Sequence, residues 1–126
     1  MNENKKILVV DDSPFMLRSI TFVLEKEGHD FCTASDGEEA LRKVAAEKPR
    51  LVFLDAVMPN KDGYEVCRQI KADPALKDIC VIMATGRGEP EDLERALAAG
   101  ADGCMLKPYT PAQILEKVGQ ALGESG

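Results

Sequence analysis

What this chain has little of narrows its class before any motif is read. No apolar run approaches the ~20 residues that a membrane helix needs, so no membrane insertion is expected. The opening Met1-Asn2-Glu3-Asn4-Lys5-Lys6 has none of the long apolar stretch of a signal peptide, which makes the cytoplasm the expected location. Histidine occurs once, at His29, and the four cysteines (Cys32, Cys67, Cys80, Cys104) include no C-x-x-C pair. That excludes the tight ligand spacing of a zinc site and leaves the cysteines as small core or edge residues in a reducing compartment. Positive charge is short and scattered. The 16 Lys and Arg face 22 Asp and Glu, for a net charge of −6, and the basic residues usually sit beside acidic ones, as in Glu25-Lys26-Glu27. A surface for nucleic acid needs clustered Lys and Arg, so direct nucleic-acid binding is not expected. Repeats, low-complexity tracts and linkers are also lacking.

What remains is room for one domain, spanning residues 1–126 and expected to be a monomer. A chain of 126 residues buries roughly two-thirds of its unfolded surface, enough to fold unaided. Its 44% apolar and 30% charged content is ordinary for a globular protein. Five short, β-branched runs alternate with amphipathic stretches: 6–10, 30–34, 51–54, 79–84 and 103–106. Runs one, three and four are continuously apolar, as central strands of a parallel sheet are when both faces are covered. The second is mixed and reads as an edge strand.

The helices between them carry legible signals. Ser13 can cap the first, with Pro14 at its first position and Gly28 at its end; its stripe is Met16/Leu17, Ile20, Val23/Leu24. The second opens on Ser35-Asp36-Gly37-Glu38, a possible capping box, with Ala40/Leu41 and Val44/Ala45 inward. Asp62-Gly63-Tyr64-Glu65 opens the third, with Val66/Cys67 and Ile70 inward. The fourth runs from about Glu91 to Gly100 with Leu93 and Ala96/Leu97 inward. Thr110, Pro111 and Gln113 open the fifth, whose stripe is Ile114/Leu115, Val118, Ala121/Leu122. Strands alternating with helices in this way predict a doubly wound α/β fold with right-handed crossovers.

In an open α/β sheet, ligands bind outside the carboxyl ends of the strands. Four of the five ends bear chemistry: Asp11-Asp12 after strand one, Asp55 after strand three, Thr85-Gly86 after strand four, Lys107-Pro108 after strand five. Each has a plainer reading alone. Adjacent aspartates cap helices, a strand-end Asp forms turns, Thr-Gly is a common turn, and a lysine before a helix is usually solvated. Together they point elsewhere. Three converging carboxylates repel one another unless a cation joins them, and an oxygen-only donor set suits magnesium, which keeps waters and leaves room for a phosphate oxygen. A lysine supplies a point charge and a threonine hydroxyl a donor for the other phosphoryl oxygens. These are the parts of a phosphoryl-transfer site with a carboxylate nucleophile.

The residues Val9-Val10-Asp11-Asp12-Ser13, Leu54-Asp55-Ala56-Val57-Met58-Pro59-Asn60-Lys61-Asp62-Gly63, Ala84-Thr85-Gly86 and Leu106-Lys107-Pro108-Tyr109 resemble the receiver domain of two-component response regulators, over essentially the full length. The Asp-x-x-Met-Pro-x-x-Asp-Gly stretch is the most specific of them. The resemblance implies a flavodoxin-like sheet of order 2-1-3-4-5 with five flanking helices. It implies that Asp55 accepts phosphate from a histidine kinase or phosphotransfer protein. Asp11, Asp12, Asp55 and the backbone carbonyl of Val57 would hold magnesium, Thr85 would move toward the phosphoryl group, and Lys107 would pair with it. Lys107-Pro108 would be cis, and Gly63 would make a tight turn into the third helix. Output would pass through helix four, strand five and helix five to a separate effector or to an output domain outside these 126 residues. The kinase side would meet Phe15 and Met16.

One position departs from the family. An aromatic often stands three residues before the lysine and turns inward when the threonine moves; here it is Cys104. A thiol is too small for that role, and its plainer reading is a small strand residue. Val57 and Arg87 are the positions expected to tune the lifetime of the phosphoryl group. Two competing functions fit less of the chain. A magnesium phosphohydrolase with an aspartyl-phosphate intermediate usually carries an acid two residues beyond its first-strand nucleophile, whereas Asp11 and Asp12 are adjacent. A flavin carrier needs a Ser/Thr/Gly-rich phosphate loop where Asp11-Asp12-Ser13-Pro14 would repel phosphate. The reading is therefore a signalling module that assists only its own phosphorylation and dephosphorylation.

Overall fold

Ten elements alternate along the chain in the computed structural model, which describes residues 5–58, 62–86 and 89–123. They are β1 (Ile7–Val10), α1 (Pro14–Lys26), β2 (Phe31–Ala34), α2 (Gly37–Glu47), β3 (Leu51–Asp55), α3 (Gly63–Ala72), β4 (Cys80–Thr85), α4 (Pro90–Ala98), β5 (Gly103–Leu106) and α5 (Pro111–Leu122). The strands form one all-parallel sheet in the order β2-β1-β3-β4-β5, the flavodoxin-like order.

The period-2 alternation of a strand divides the core into two layers. Ile7 and Val9 of β1, with Leu51 and Phe53 of β3, face Ile20 and Leu24 of α1 and Ile114, Val118 and Leu122 of α5. Leu8, Val10, Val52 and Leu54 face the other way, against Ala40 and Val44 of α2 and Val66, Cys67 and Ile70 of α3. Both faces of β1 and β3 are thus covered, which is why these strands are apolar at every position. β2 is only partly buried, as an edge strand is, and β5 forms the other edge with Leu106 exposed.

The caps fall largely where the sequence signals them. Ser13 Oγ accepts from the Met16 amide, Asp62 from Glu65, and Thr110 and Gln113 form a reciprocal box. Gly28 follows the end of α1 with φ +79, where a glycine escapes Cβ crowding. In α2 the cap lies one residue later than the Ser35/Glu38 pair. Asp36 accepts from the Glu39 amide, and the Glu39 carboxylate reaches back to the Ser35 amide and hydroxyl. Ala45 of that helix is exposed rather than inward.

The larger departure is α4. Of its expected inward stripe Ala96 is buried, but Leu93 and Leu97 are 48% and 58% exposed, and Asp92 is buried in their place. The helix is turned so that a carboxyl group, satisfied by local donors, is buried in preference to two leucines.

Candidate functional site

The site is assembled at the carboxyl edge of the sheet, from strand ends that register pairing brings together. β1 and β3 are neighbours, so Asp11, just past the end of β1, and Asp55, the last residue of β3, lie at adjacent strand ends, and β4–β5 pairing sets Thr85 opposite Leu106, one residue before Lys107. The Lys107 amide donates to the Thr85 carbonyl at 2.7 Å, fixing the main chain from which the lysine projects. The Lys107–Pro108 bond is cis, as the resemblance implies.

Lys107 stands between two buried carboxylates. Its Nζ lies 2.8 Å from Asp11 Oδ2 and 3.0 Å from Asp55 Oδ1. Asp11 Oδ1 also accepts from the Ser13 amide at 2.9 Å, and Asp55 Oδ1 from the Val57 amide at 3.3 Å. Asp11 Oδ2 is buried and, among the described residues, has no aligned hydrogen-bond donor beyond its ion pair with Lys107. Such an oxygen has a lone pair to give to a cation.

The electrostatics follow from this crowding. The Asp55 carboxyl is raised to about 6: burial pushes it up most, the Asp11 charge adds to this, and Lys107 and the Val57 amide hold it down. Burial lowers the Lys107 ammonium, but the two carboxylates outweigh it and the net shift is upward. Tyr109, packed beside Phe53, has its phenol raised by burial and then by the charges of Asp11 and Asp55.

Ligand oxygens of Asp11, Asp12 and Asp55 lie within 4.8 Å of one another, and Asp12 is exposed to solvent. An oxygen-only set of three carboxylates, one of them open to water, fits a hard divalent cation that keeps part of its hydration shell. The adjoining cleft, about 340 Å³, reaches from Asp12 and Asp55 past Thr85 to Asp92 and Arg95. A strand-end carboxylate, a lysine and an acidic set that could hold a cation at its mouth are groups able to stabilise charge on a transferring phosphoryl group.

The model of the response regulator receiver domain matches residues 7–119. The chain belongs to the response-regulator receiver family. This receiver is 43% identical over 122 residues to the alkaline phosphatase synthesis transcriptional regulatory protein PhoP of Bacillus subtilis, covering 97% of this chain and 50% of that protein. It is 35% identical over 114 residues to protein PilG of Pseudomonas aeruginosa, covering 90% and 84%. A CheY-like receiver domain protein from Methanospirillum hungatei superposes with a TM-score of 0.88 at 33% identity, covering 97% of this chain and 96% of that one. The receiver spans about half the length of the first curated relatives it matches.

Of the residues singled out from the sequence, Asp11, Asp12, Asp55, Val57, Thr85 and Lys107 come together around this cleft. Arg87 lies outside the described residues. Cys104 is half-buried on β5, paired in register with Met83 and packed against the core layer that also holds Met83 and Ala96; burial raises its thiol. Gly63 does not adopt a left-handed turn. It is required by close approach, since a Cβ there would run into the Asp55 carbonyl oxygen and stand 2.9 Å from Ala56 Cα.

Three lining residues were not read from the sequence: Tyr64, Asp92 and Arg95. The Arg95 guanidinium lies 4.0 Å from the centre of the buried Tyr64 ring, within cation–π range. Pro90 at the first position of α4, with Asp92 two residues on, was the available sign that this acid sits at a helix start near the end of β4. A second, apolar groove of about 130 Å³ runs between α1 and α5, lined by Phe15, Met16, Ile20, Pro108, Tyr109 and Ile114 among others; Phe15 is 76% exposed.

Proposed function

We propose that this receiver accepts a phosphoryl group on Asp55 from a phosphohistidine of a histidine kinase or phosphotransfer protein. Magnesium would be held by Asp11, Asp12, Asp55 and the Val57 backbone carbonyl. The observation that carries the reading is the placement of Lys107 Nζ between Asp11 Oδ2 and Asp55 Oδ1. It keeps a buried carboxylate ionisable and sets a positive charge where phosphoryl oxygens would gather.

In the transfer, an Asp55 carboxylate oxygen forms the new P–O bond as the P–N bond to the donor imidazole breaks; the leaving nitrogen keeps the electron pair and takes a proton. Bound magnesium supplies charge neutralisation for the phosphoryl oxygens. Lys107 pairs with one such oxygen, and the Thr85 hydroxyl donates to another. The exposed Val57 side chain and Arg87 govern how readily water reaches the acyl phosphate. The donor docks along the groove of Phe15 and Met16, whose Pro108–Tyr109 wall adjoins Lys107. The switched surface is that of α4, β5 and α5, where Leu93, Leu97 and Leu106 are exposed; it meets a separate effector or an output domain outside these 126 residues. The whole operates as one monomeric domain in the cytoplasm, as a signalling module rather than an enzyme acting on other substrates.

Incubation with acetyl phosphate and magnesium, followed by intact mass, tests this. One phosphate adduct that is labile at alkaline pH and lost in Asp55→Asn is the expected result. No adduct, or one that survives Asp55→Asn unchanged, overturns the reading.

A further inference from the structure

The far end of the acidic cleft holds a carboxyl group that the proposed transfer does not use. Asp92 is the third residue of α4 and is 3% exposed. A carboxyl this deep needs donors, and those that reach its Oδ2 include the Glu89 amide at 3.2 Å and the Thr85 hydroxyl at 3.3 Å. One oxygen thus ties the first turn of α4 to the last residue of β4. The Thr85 main chain is anchored by the Lys107 amide, so the part of this residue that can turn is its side chain.

We infer that Asp92 is the positioning residue of the switch: it holds the Thr85 hydroxyl toward α4 in the resting receiver, and loss of that hydrogen bond carries the phosphoryl signal to α4. The inference rests on Asp55 accepting phosphate as proposed above. A threonine hydroxyl has one proton to donate. It serves Asp92 or a phosphoryl oxygen on Asp55, and giving it to the second leaves Asp92 buried with one donor fewer. Buried acceptors are costly to strip of their donors, so the Glu89–Asp92 turn re-seats when the threonine leaves. Two discrete arrangements of a packed element are the usual substance of such a switch.

This answers how the signal leaves a site that has Cys104 where an aromatic often stands. The Cys104 thiol is too small to couple to Thr85 by filling space. A hydrogen bond does the coupling instead. Leu93 follows Asp92 directly and Leu97 lies one turn on, both on the exposed face of α4, so a shift of the first turn changes the apolar surface offered to a partner.

The test uses beryllofluoride with magnesium as the phosphoryl mimic, on the intact chain. In unliganded Asp92→Ala, the Thr85 methyl resonance and the amides of 90–98 should move toward their beryllofluoride-bound positions, and the mimic should bind about tenfold more tightly. Asp92→Asn, which keeps an acceptor in place, should fall between that variant and wild type; should Asp92→Ala fail to fold, it carries the same comparison. In a Thr85→Val background, Asp92→Ala should leave mimic affinity unchanged, since the hydroxyl it acts through is gone. Glu94→Gly, which loosens α4 at an exposed position by helix propensity alone, should not tighten binding. Unchanged affinity and an unmoved Thr85 methyl in both Asp92 variants overturn the inference alone. So does equal tightening in Glu94→Gly, or tightening that persists without the Thr85 hydroxyl. A wild-type protein that does not bind the mimic overturns the phosphoacceptor reading itself, and this inference with it.

Discussion

Gly63, at the start of α3, lies flat against the peptide of Asp55, with its amide donating to the Ala56 carbonyl at 3.0 Å. The space between them cannot hold a methyl group, because a Cβ at 63 would strike the Asp55 carbonyl oxygen. Backbone atoms cannot swing aside as a flexible side chain can. Gly63→Ala should therefore cost about 2 kcal/mol or more, in the range of overpacked cores, seen as a lower urea midpoint at unchanged slope. Because the clash falls on the peptide of Asp55, a proposed magnesium ligand, magnesium affinity should drop as well. A variant of wild-type stability and affinity would show that the close approach is not there.

Lys107 separates two buried carboxylates, and its removal leaves them facing each other. Lys107→Met in chelator should destabilise the fold by about 3 kcal/mol at neutral pH, as when one partner of a buried pair is lost. It should also bind magnesium more tightly, by roughly tenfold, since a competing positive charge 3.0 Å from Asp55 is gone. Calorimetric or fluorescence titration measures this. Weaker magnesium binding would mean that Lys107 helps build the cation site rather than competing with it.

The acidity of Asp55 sets a pH dependence in the metal-free protein. Its folded value of about 6 lies above the ~3.9 of an unfolded Asp. The protonated group is thus favoured by the fold, and this contribution is full below about pH 4 and lost as pH rises through about 6. Magnesium, bound as proposed, would offset the loss by pairing with the ionised group. The melting-temperature gain on adding saturating magnesium should be small near about pH 5 and larger near about pH 7.5. An equal gain at both pH values would contradict the placement of Asp55 among the ligands.

A structural knot far from the cleft supplies a contrasting case. Lys71 Nζ donates to the carbonyls of Lys77 and Ile79 and pairs with Asp102 at 2.7 Å, while Asp102 accepts from the Val81 amide at 2.8 Å. These bonds fasten the end of α3 to the beginning of β4. Lys71→Met should cost about 2 kcal/mol of stability through stranded acceptors. It should leave phosphoryl acceptance at 25 °C (about room temperature) unchanged, read by the same mass assay.

The strand and helix order was legible because burial on both faces makes β1, β3 and β4 apolar at successive positions, and because caps such as Ser13-Pro14 and Thr110-Pro111-Gln113 act locally. Asp36 displaced Ser35 as the α2 cap because neighbouring polar residues offer nearly equal caps, and the tertiary position of the helix chooses between them. Lys48 ends α2 at φ 45, a left-handed position with no glycine to announce it. The phase of α4 was not legible either. Apolar spacing favours turning Leu93 and Leu97 inward, yet donors from Thr85 and Glu89 make it possible to bury Asp92 in their place.

By itself, then, the amino-acid order determined the alternation of elements, the sheet order through the motifs it shares with its family, and the identity of the strand-end residues Asp11, Asp12, Asp55, Thr85 and Lys107. Those features depend on residue type and near neighbours. Only the tertiary structure decided that Lys107 bridges Asp11 and Asp55, that Gly63 is needed for contact rather than for a turn, and that Asp92 holds Thr85. Each of these is a distance of about 3 Å between groups set by packing, and no local pattern along the chain encodes such a distance.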